Sequence, residues 1–138
     1  MPGRDTGTGS VLEEMILPSL ERARYHCRRG VTVGSRLGVG RHMVDVVAER
    51  DGARYIVSLK WQQVSGTAEQ KVPFEIMCLN EILESGDYTG AYLVLGGDAW
   101  RFRDFFTSNR LRDHMRVSER ITVMSLESFV AKVNREGL

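Results

Sequence analysis

Apolar positions follow a helical period over residues 10–29, where Leu12, Met15, Ile16, Leu20 and Ala23 recur three or four apart. Ser10 supplies an N-cap and Gly30 a stop. Pro18 bends the helix or starts a second segment, because proline removes a helical N–H and crowds the preceding turn. The pattern then turns strand-like. Residues 31–36 form a short β run, with Gly34, Gly38 and Gly40 marking the turn after it. Residues 41–50 and 53–61 are two β arms joined by Asp51-Gly52, a pair that favours a two-residue hairpin turn. Residues 62–67 are a polar loop. The helical period returns over 68–85, with Val72, Ile76, Leu79 and Leu83 on one stripe and Gly86 as the stop. Pro73 lies near its start, where proline is best tolerated. Residues 91–95 are wholly apolar and read as a buried strand closed by Gly96-Gly97. Residues 100–114 read as a helix, 121–124 as a last strand and 126–134 as a last helix.

That order gives an α/β fold, a mixed central β-sheet with helices on both faces. Strands two and three pair as a hairpin. The strand at 91–95 follows a crossover helix, so it lies parallel to its neighbour. The length suits one domain spanning residues 1–138, and residues 1–9 read as a flexible arm. No run approaches the roughly 20 apolar residues of a membrane span, and the first residues lack a signal-peptide core.

Composition adds little to this and removes some classes. Net charge is +1, so no global field attracts a polyanion. Yet Lys60, Lys71 and Lys132 are the only lysines among 19 basic residues. Arginine binds phosphate through a planar fork, although a GC-rich genome gives the same bias. Cys27 and Cys78 have no metal-type spacing and fall in helical patterns, so reduced thiols and a cytoplasmic location are expected.

The hairpin carries the candidate chemistry. It brings Asp45 and Lys60 side by side at the open ends of two paired strands. Ser58, two residues before Lys60, shares its strand face, because strand side chains alternate.

Element order and residues together resemble the PD-(D/E)xK nuclease superfamily, the restriction-endonuclease-like fold with an αβββαβ core, here followed by αβα. The resemblance covers roughly residues 10–95. Asp45 matches the family's aspartate and Lys60 its lysine, while Ser58 stands where the second acid belongs. Some members carry S-x-K and take the missing acid from the next helix. Glu75, after fourteen intervening residues, fits that pattern, and Glu69 is the second choice. Glu13 in the first helix is a further candidate acid, and Gln62 resembles a glutamine that accompanies the lysine.

The resemblance implies a metal-dependent DNA endonuclease leaving 5′-phosphates, with Mg²⁺ as cofactor and Mn²⁺ as substitute. Asp45, Glu75, the Leu59 carbonyl and Glu13 would hold the metal. Lys60 would orient the attacking water and stabilise charge on the phosphate. Gln62 would assist. Arg36, Arg41, Ser65 and Lys71 would contact DNA. A homodimer is expected, since two strands need two sites, with no membrane and no organic cofactor. The rival expectation is a catalytically inactive nuclease fold that binds nucleic acid or a protein partner. Each residue also has a plain structural explanation: a solvated Asp45 or Lys60, and a Lys71–Glu75 pair one helical turn apart. His42, three residues before Asp45, should face the opposite side of its strand.

Overall fold

The computed structural model describes residues 6–64 and 66–138, with side chains described from Gly9 onward. Helix α1 spans Thr6–Val11, a π-helical turn follows at Leu12–Ile16, and α2 spans Leu17–Arg22. Strands β1 (His26–Ser35), β2 (Arg41–Arg50) and β3 (Ala53–Trp61) come next. Helix α3 is Ala68–Leu83 and β4 is Gly90–Gly96. Short helix α4 (Arg103–Phe106), a 3₁₀ turn (Asn109–Asp113), β5 (Ile121–Ser125) and α5 (Leu126–Arg135) complete the chain.

The sheet is mixed, in the order β1-β2-β3-β4-β5. β1, β2 and β3 are antiparallel neighbours; β4 runs parallel to β3 and β5 parallel to β4. Asp51 (φ 53) and Gly52 (φ 83) turn the β2–β3 hairpin with both residues left-handed. β4 is buried along its whole length, as an apolar strand covered on both faces must be. On one face α3 and α4 pack Val72, Ile76, Leu79 and Phe106 against Val44, Val47, Ile56, Leu93 and Leu95. On the other, the N-terminal helices and α5 pack Leu12, Ile16, Leu20 and Phe129 against Val46, Ala48, Val57, Leu59 and Val94.

Three expectations are corrected. Residues 6–9, read as part of a flexible arm, are helical. The first helix ends at Arg22 and not at Arg29. Arg24 turns left-handed (φ 70), and the Tyr25 N–H closes the end on the Leu20 carbonyl at 2.9 Å. His26 to Arg29 then pair with Val46 to Glu49, extending β1 to ten residues. The open edge of β2 outweighs the helix propensity of an arginine-rich run, since each N–H and C=O gains a ladder partner. Cys27 therefore lies on a strand, while Cys78 lies on α3; both are free thiols. The helix read over 100–114 is broken at Thr107-Ser108. Thr107 Oγ1 donates to the Arg103 carbonyl at 2.9 Å, and Ser108 Oγ accepts from the Arg110 N–H at 3.2 Å, so local bonds replace the helical ladder. Pro18 does begin a second segment, in the first turn of α2.

Candidate active site

The site forms where β2 and β3 part. Their pairing begins at the turn and ends at Val46–Val57. Beyond that pair the ladder is not continued, and the Asp45 carboxylate replaces it by accepting the Leu59 N–H at 2.6 Å. The alternation of β2 slips at the same point. Val44 packs with the α3-side core, Val46 and Ala48 with the opposite one, and Val47 with the α3 side again. On β1, Gly30 takes a left-handed conformation (φ 57) between Arg29 and Val31, the partners of Val46 and Val44.

His42, two residues before Val44, shares the strand face that packs against α3. Its Nε2 donates to Glu75 Oε2 at 3.1 Å, and both residues are only 4% exposed. Its Nδ1 is the one buried side-chain polar atom without a partner among the described residues. Glu75 Oε1 faces Lys60 Nζ at 3.6 Å. The carboxylate of α3 thus bridges a residue of β2 and a residue of β3. It does not pair with Lys71, which remains exposed on the first turns of α3. Ser58 is buried beside Lys60 on the strand, at the position opposite Leu93 of β4.

Asp45 completes the group electrostatically. Burial pushes its carboxyl above the ordinary aspartate range. The Leu59 N–H and the Lys60 ammonium pull it partly back, and the Glu75 carboxylate pushes it up again. Asp45, Lys60 and Glu75 therefore feel one another, and desolvation outweighs the attractions. Asp45 also lines a groove of about 400 Å³ with Leu12, Arg29, Gly30, Met43 and Val44.

Glu13 does not join them. It is exposed on the π-helical turn, where Leu12 and Ile16 take the buried positions. Glu69 and Gln62 are brought together, but for another purpose. Gln62 Nε2 donates to Glu69 Oε2 at 3.0 Å and to the Ala99 carbonyl at 2.9 Å, while its Oε1 accepts the Ala68 N–H at 3.0 Å. Glu69 also accepts the Arg101 N–H at 3.0 Å and the Phe102 N–H at 2.7 Å. Gly97 (φ 95) makes this brace possible: a β-carbon there would lie 2.3 Å from the Gln62 carbonyl oxygen. Arg36 and Arg41 are exposed on either side of the β1–β2 turn. Ser65 lies outside the described residues.

Sequence reasoning missed His42. The signal was parity with Val44: His42 lies two residues before it, on the strand face that packs against α3.

Among the described residues no three His, Cys, Asp or Glu side chains stand close enough to hold a metal by themselves. The donors present nevertheless suit a hard cation. Mg²⁺ is commonly held by one or two carboxylates, with water and substrate phosphate filling the other positions. Asp45 supplies a half-buried carboxylate and Glu75 a buried one; the Glu75 charge pushes the Asp45 carboxyl up, and a bound cation would relieve that repulsion.

A family model described as a PD-(D/E)XK nuclease superfamily domain matches residues 4–136. The chain belongs to that superfamily, and its mixed sheet flanked by helices is the fold of the family. No curated protein matches the sequence. A structural relative is the crystal structure of a protein of unknown function, AF1548, with 16% identity and a TM-score of 0.48. The alignment covers 80% of this chain and 54% of that one, so the present chain spans about half of its relative. No helix among the described residues is long and apolar enough to cross a membrane.

Proposed function

We propose that this nuclease-superfamily domain is a divalent-cation-dependent DNA endonuclease, with Mg²⁺ as its ion and Mn²⁺ as a substitute. One observation carries the reading: Glu75 of α3 lies against Lys60 at 3.6 Å, and it would supply the acid that Ser58 does not. Asp45 and Glu75 would hold the ion, with the Leu59 carbonyl as a further donor. When bound, the ion neutralises phosphate charge and makes its water a better nucleophile.

The chain's own residues do the rest. Lys60 places an ammonium beside the carboxylates, where it attracts the scissile phosphate and stabilises the charge that builds up during displacement. His42 fixes the rotamer of Glu75 from behind. The Gln62–Glu69 brace holds the end of β3 against the start of α3, which sets the spacing of Lys60 and Glu75; Gln62 acts by positioning. Arg36, Arg41, Ser65 and Lys71 are the proposed DNA contacts, and a homodimer would present one site to each strand.

The test is cleavage of supercoiled, linear, single-stranded and four-way-junction DNA with Mg²⁺ or Mn²⁺. Wild type is expected to cut at least one of them, and Asp45→Ala and Lys60→Ala to cut none. Activity surviving both substitutions would refute the site. Loss in Glu75→Gln but not in folded Glu69→Gln would identify the migrated acid. The absence of a third acidic donor among the described residues favours a second reading, a fold that binds DNA without cutting it. Calorimetry that detects no Mg²⁺ binding, with DNA affinity intact, would select that reading.

A further inference from the structure

We propose that the β1–β2 hairpin tip is an apolar wedge that enters a DNA base step beside the active site. The idea rests on the nuclease reading above. Val39 is 78% exposed and Leu37 39% exposed, at the end of a turn rimmed by Arg36 and Arg41. Exposed aliphatic groups at the end of a turn gain nothing from water. Leu37 is also held left-handed (φ 52), a conformation that disfavours residues with a β-carbon.

The turn does not relax out of this state because it is braced. The Val39 N–H donates to the Arg36 carbonyl at 2.9 Å, the Arg36 N–H to the Gly40 carbonyl at 3.2 Å, and the Gly38 N–H to Ser35 Oγ at 2.7 Å. Its base is fixed as well: Gly34 lies so close to α3 that an added β-carbon would sit 3.1 Å from Ile82 Cγ1. Two residues beyond Gly40, His42 meets Glu75. The tip is therefore a short, stiff projection rooted in the site.

Its chemistry selects the occupant. Two guanidinium groups bracketing two aliphatic side chains match phosphates on either side of an opened base step, the arrangement by which apolar side chains kink a duplex. A second copy of the chain is a poorer match, because a stable dimer buries roughly 800 Å² per partner, more than two side chains can offer.

The experiment uses the full chain, Ca²⁺ in place of Mg²⁺, and duplexes carrying 2-aminopurine at successive positions. Binding by wild type should raise the fluorescence roughly twofold or more at one or more positions, as unstacking requires. Leu37→Gly/Val39→Ser should abolish that rise while leaving affinity within a few-fold, whereas Arg36→Ala/Arg41→Ala should weaken affinity and reduce its salt slope by about two. Leu37→Gly alone should raise the melting temperature by about 2–4 °C, since glycine accepts the left-handed conformation. Binding without a fluorescence change would overturn the wedge and leave the nuclease reading standing. No DNA binding by wild type would overturn both. Sedimentation showing a dimer that the Leu37/Val39 variant dissolves would assign the tip to self-association and overturn the wedge.

Discussion

Two buried polar groups stand at the same end of β3, and they are held in opposite ways. Gln62 and Glu69 are tied to backbone. Ala68, Arg101 and Phe102 donate N–H groups, the Ala99 carbonyl accepts one, and the two side chains bond to each other. Burial pushes the Glu69 carboxyl up, but the Arg101 and Phe102 N–H donors and then Gln62 outweigh it and leave it below the ordinary range. His42, Glu75 and Lys60 are held by one another, and Asp45 beside them by one backbone N–H, that of Leu59. There burial wins, Asp45 is pushed up, and His42 Nδ1 has no partner. A satisfied polar network stabilises a fold. An incompletely satisfied one is where a ligand has something to add. Of the four carboxylates proposed as metal ligands or their substitutes, this difference separates Asp45 and Glu75 from Glu69, and exposure separates Glu13.

The sharpest way to break the comparison is Asp45→Asn. It should lower DNA cleavage by on the order of 10³-fold or more, because it removes the proposed central ligand of the ion. It should also raise the melting temperature at neutral pH, since a desolvated charge is lost and the amide can still accept the Leu59 N–H through its oxygen. Plasmid cleavage and thermal unfolding read the two effects. A fall in both would mean that Asp45 is a structural residue like Glu69.

Glu69→Ala should do the reverse. It strands two backbone N–H groups and the Gln62 amide, at about 3–5 kcal/mol of stability measured by urea unfolding. The molecules that remain folded should still cut DNA, with a loss far smaller than that of Asp45→Asn, because the brace spaces Lys60 and Glu75 but holds no ion. His42→Ala comes next. Freed from its imidazole, Glu75 should sample other rotamers, and cleavage should fall about 10–100-fold, as when a group that orients a metal ligand is removed. His42→Gln, which can still donate to Glu75, should recover part of the loss, and the Mg²⁺ concentration at half-maximal rate should rise in His42→Ala. An unchanged Mg²⁺ requirement would make His42 a packing residue.

Much of this was legible in the sequence, and the failures have a common cause. Asp45, Lys60 and the hairpin between them follow from local rules: alternation, a turn pair and element order. Glu75 followed from the family resemblance together with helical period. What the residues did not disclose depended on pairing between distant segments. The edge of β2 drew residues 26–29 out of a helix, and the packing of α3 on the sheet brought Glu75 to His42 across 33 residues. Glu69 looked like a plausible site acid because nothing local announces that the N–H groups of Arg101 and Phe102 will reach it across 32 and 33 residues. The family resemblance gives Gln62 a part in catalysis, yet both ends of its amide are spent on the junction.

The smallest effect is the one that tests the contrast most directly, because the two carboxylates should respond to pH with opposite sign. Glu69 holds its proton less tightly folded than unfolded. Its contribution is complete above the ordinary glutamate value of about 4.3 and is lost as pH falls through the lower folded value. Asp45 holds its proton more tightly folded than unfolded. The fold is therefore favoured below the ordinary aspartate value of about 3.9, and loses stability as pH rises toward the raised folded value. In melting curves taken from strongly acidic to neutral pH, the advantage of wild type over Glu69→Gln should grow as pH rises to about 4.3 and then level off, while its disadvantage against Asp45→Asn should grow only above about 3.9. Mg²⁺ should shrink only the second difference, because a cation stabilises the ionised Asp45 and leaves the braced Glu69 untouched. Parallel curves for the two variants, insensitive to Mg²⁺, would mean that both carboxylates belong to the scaffold and that the opening between β2 and β3 is not a metal site.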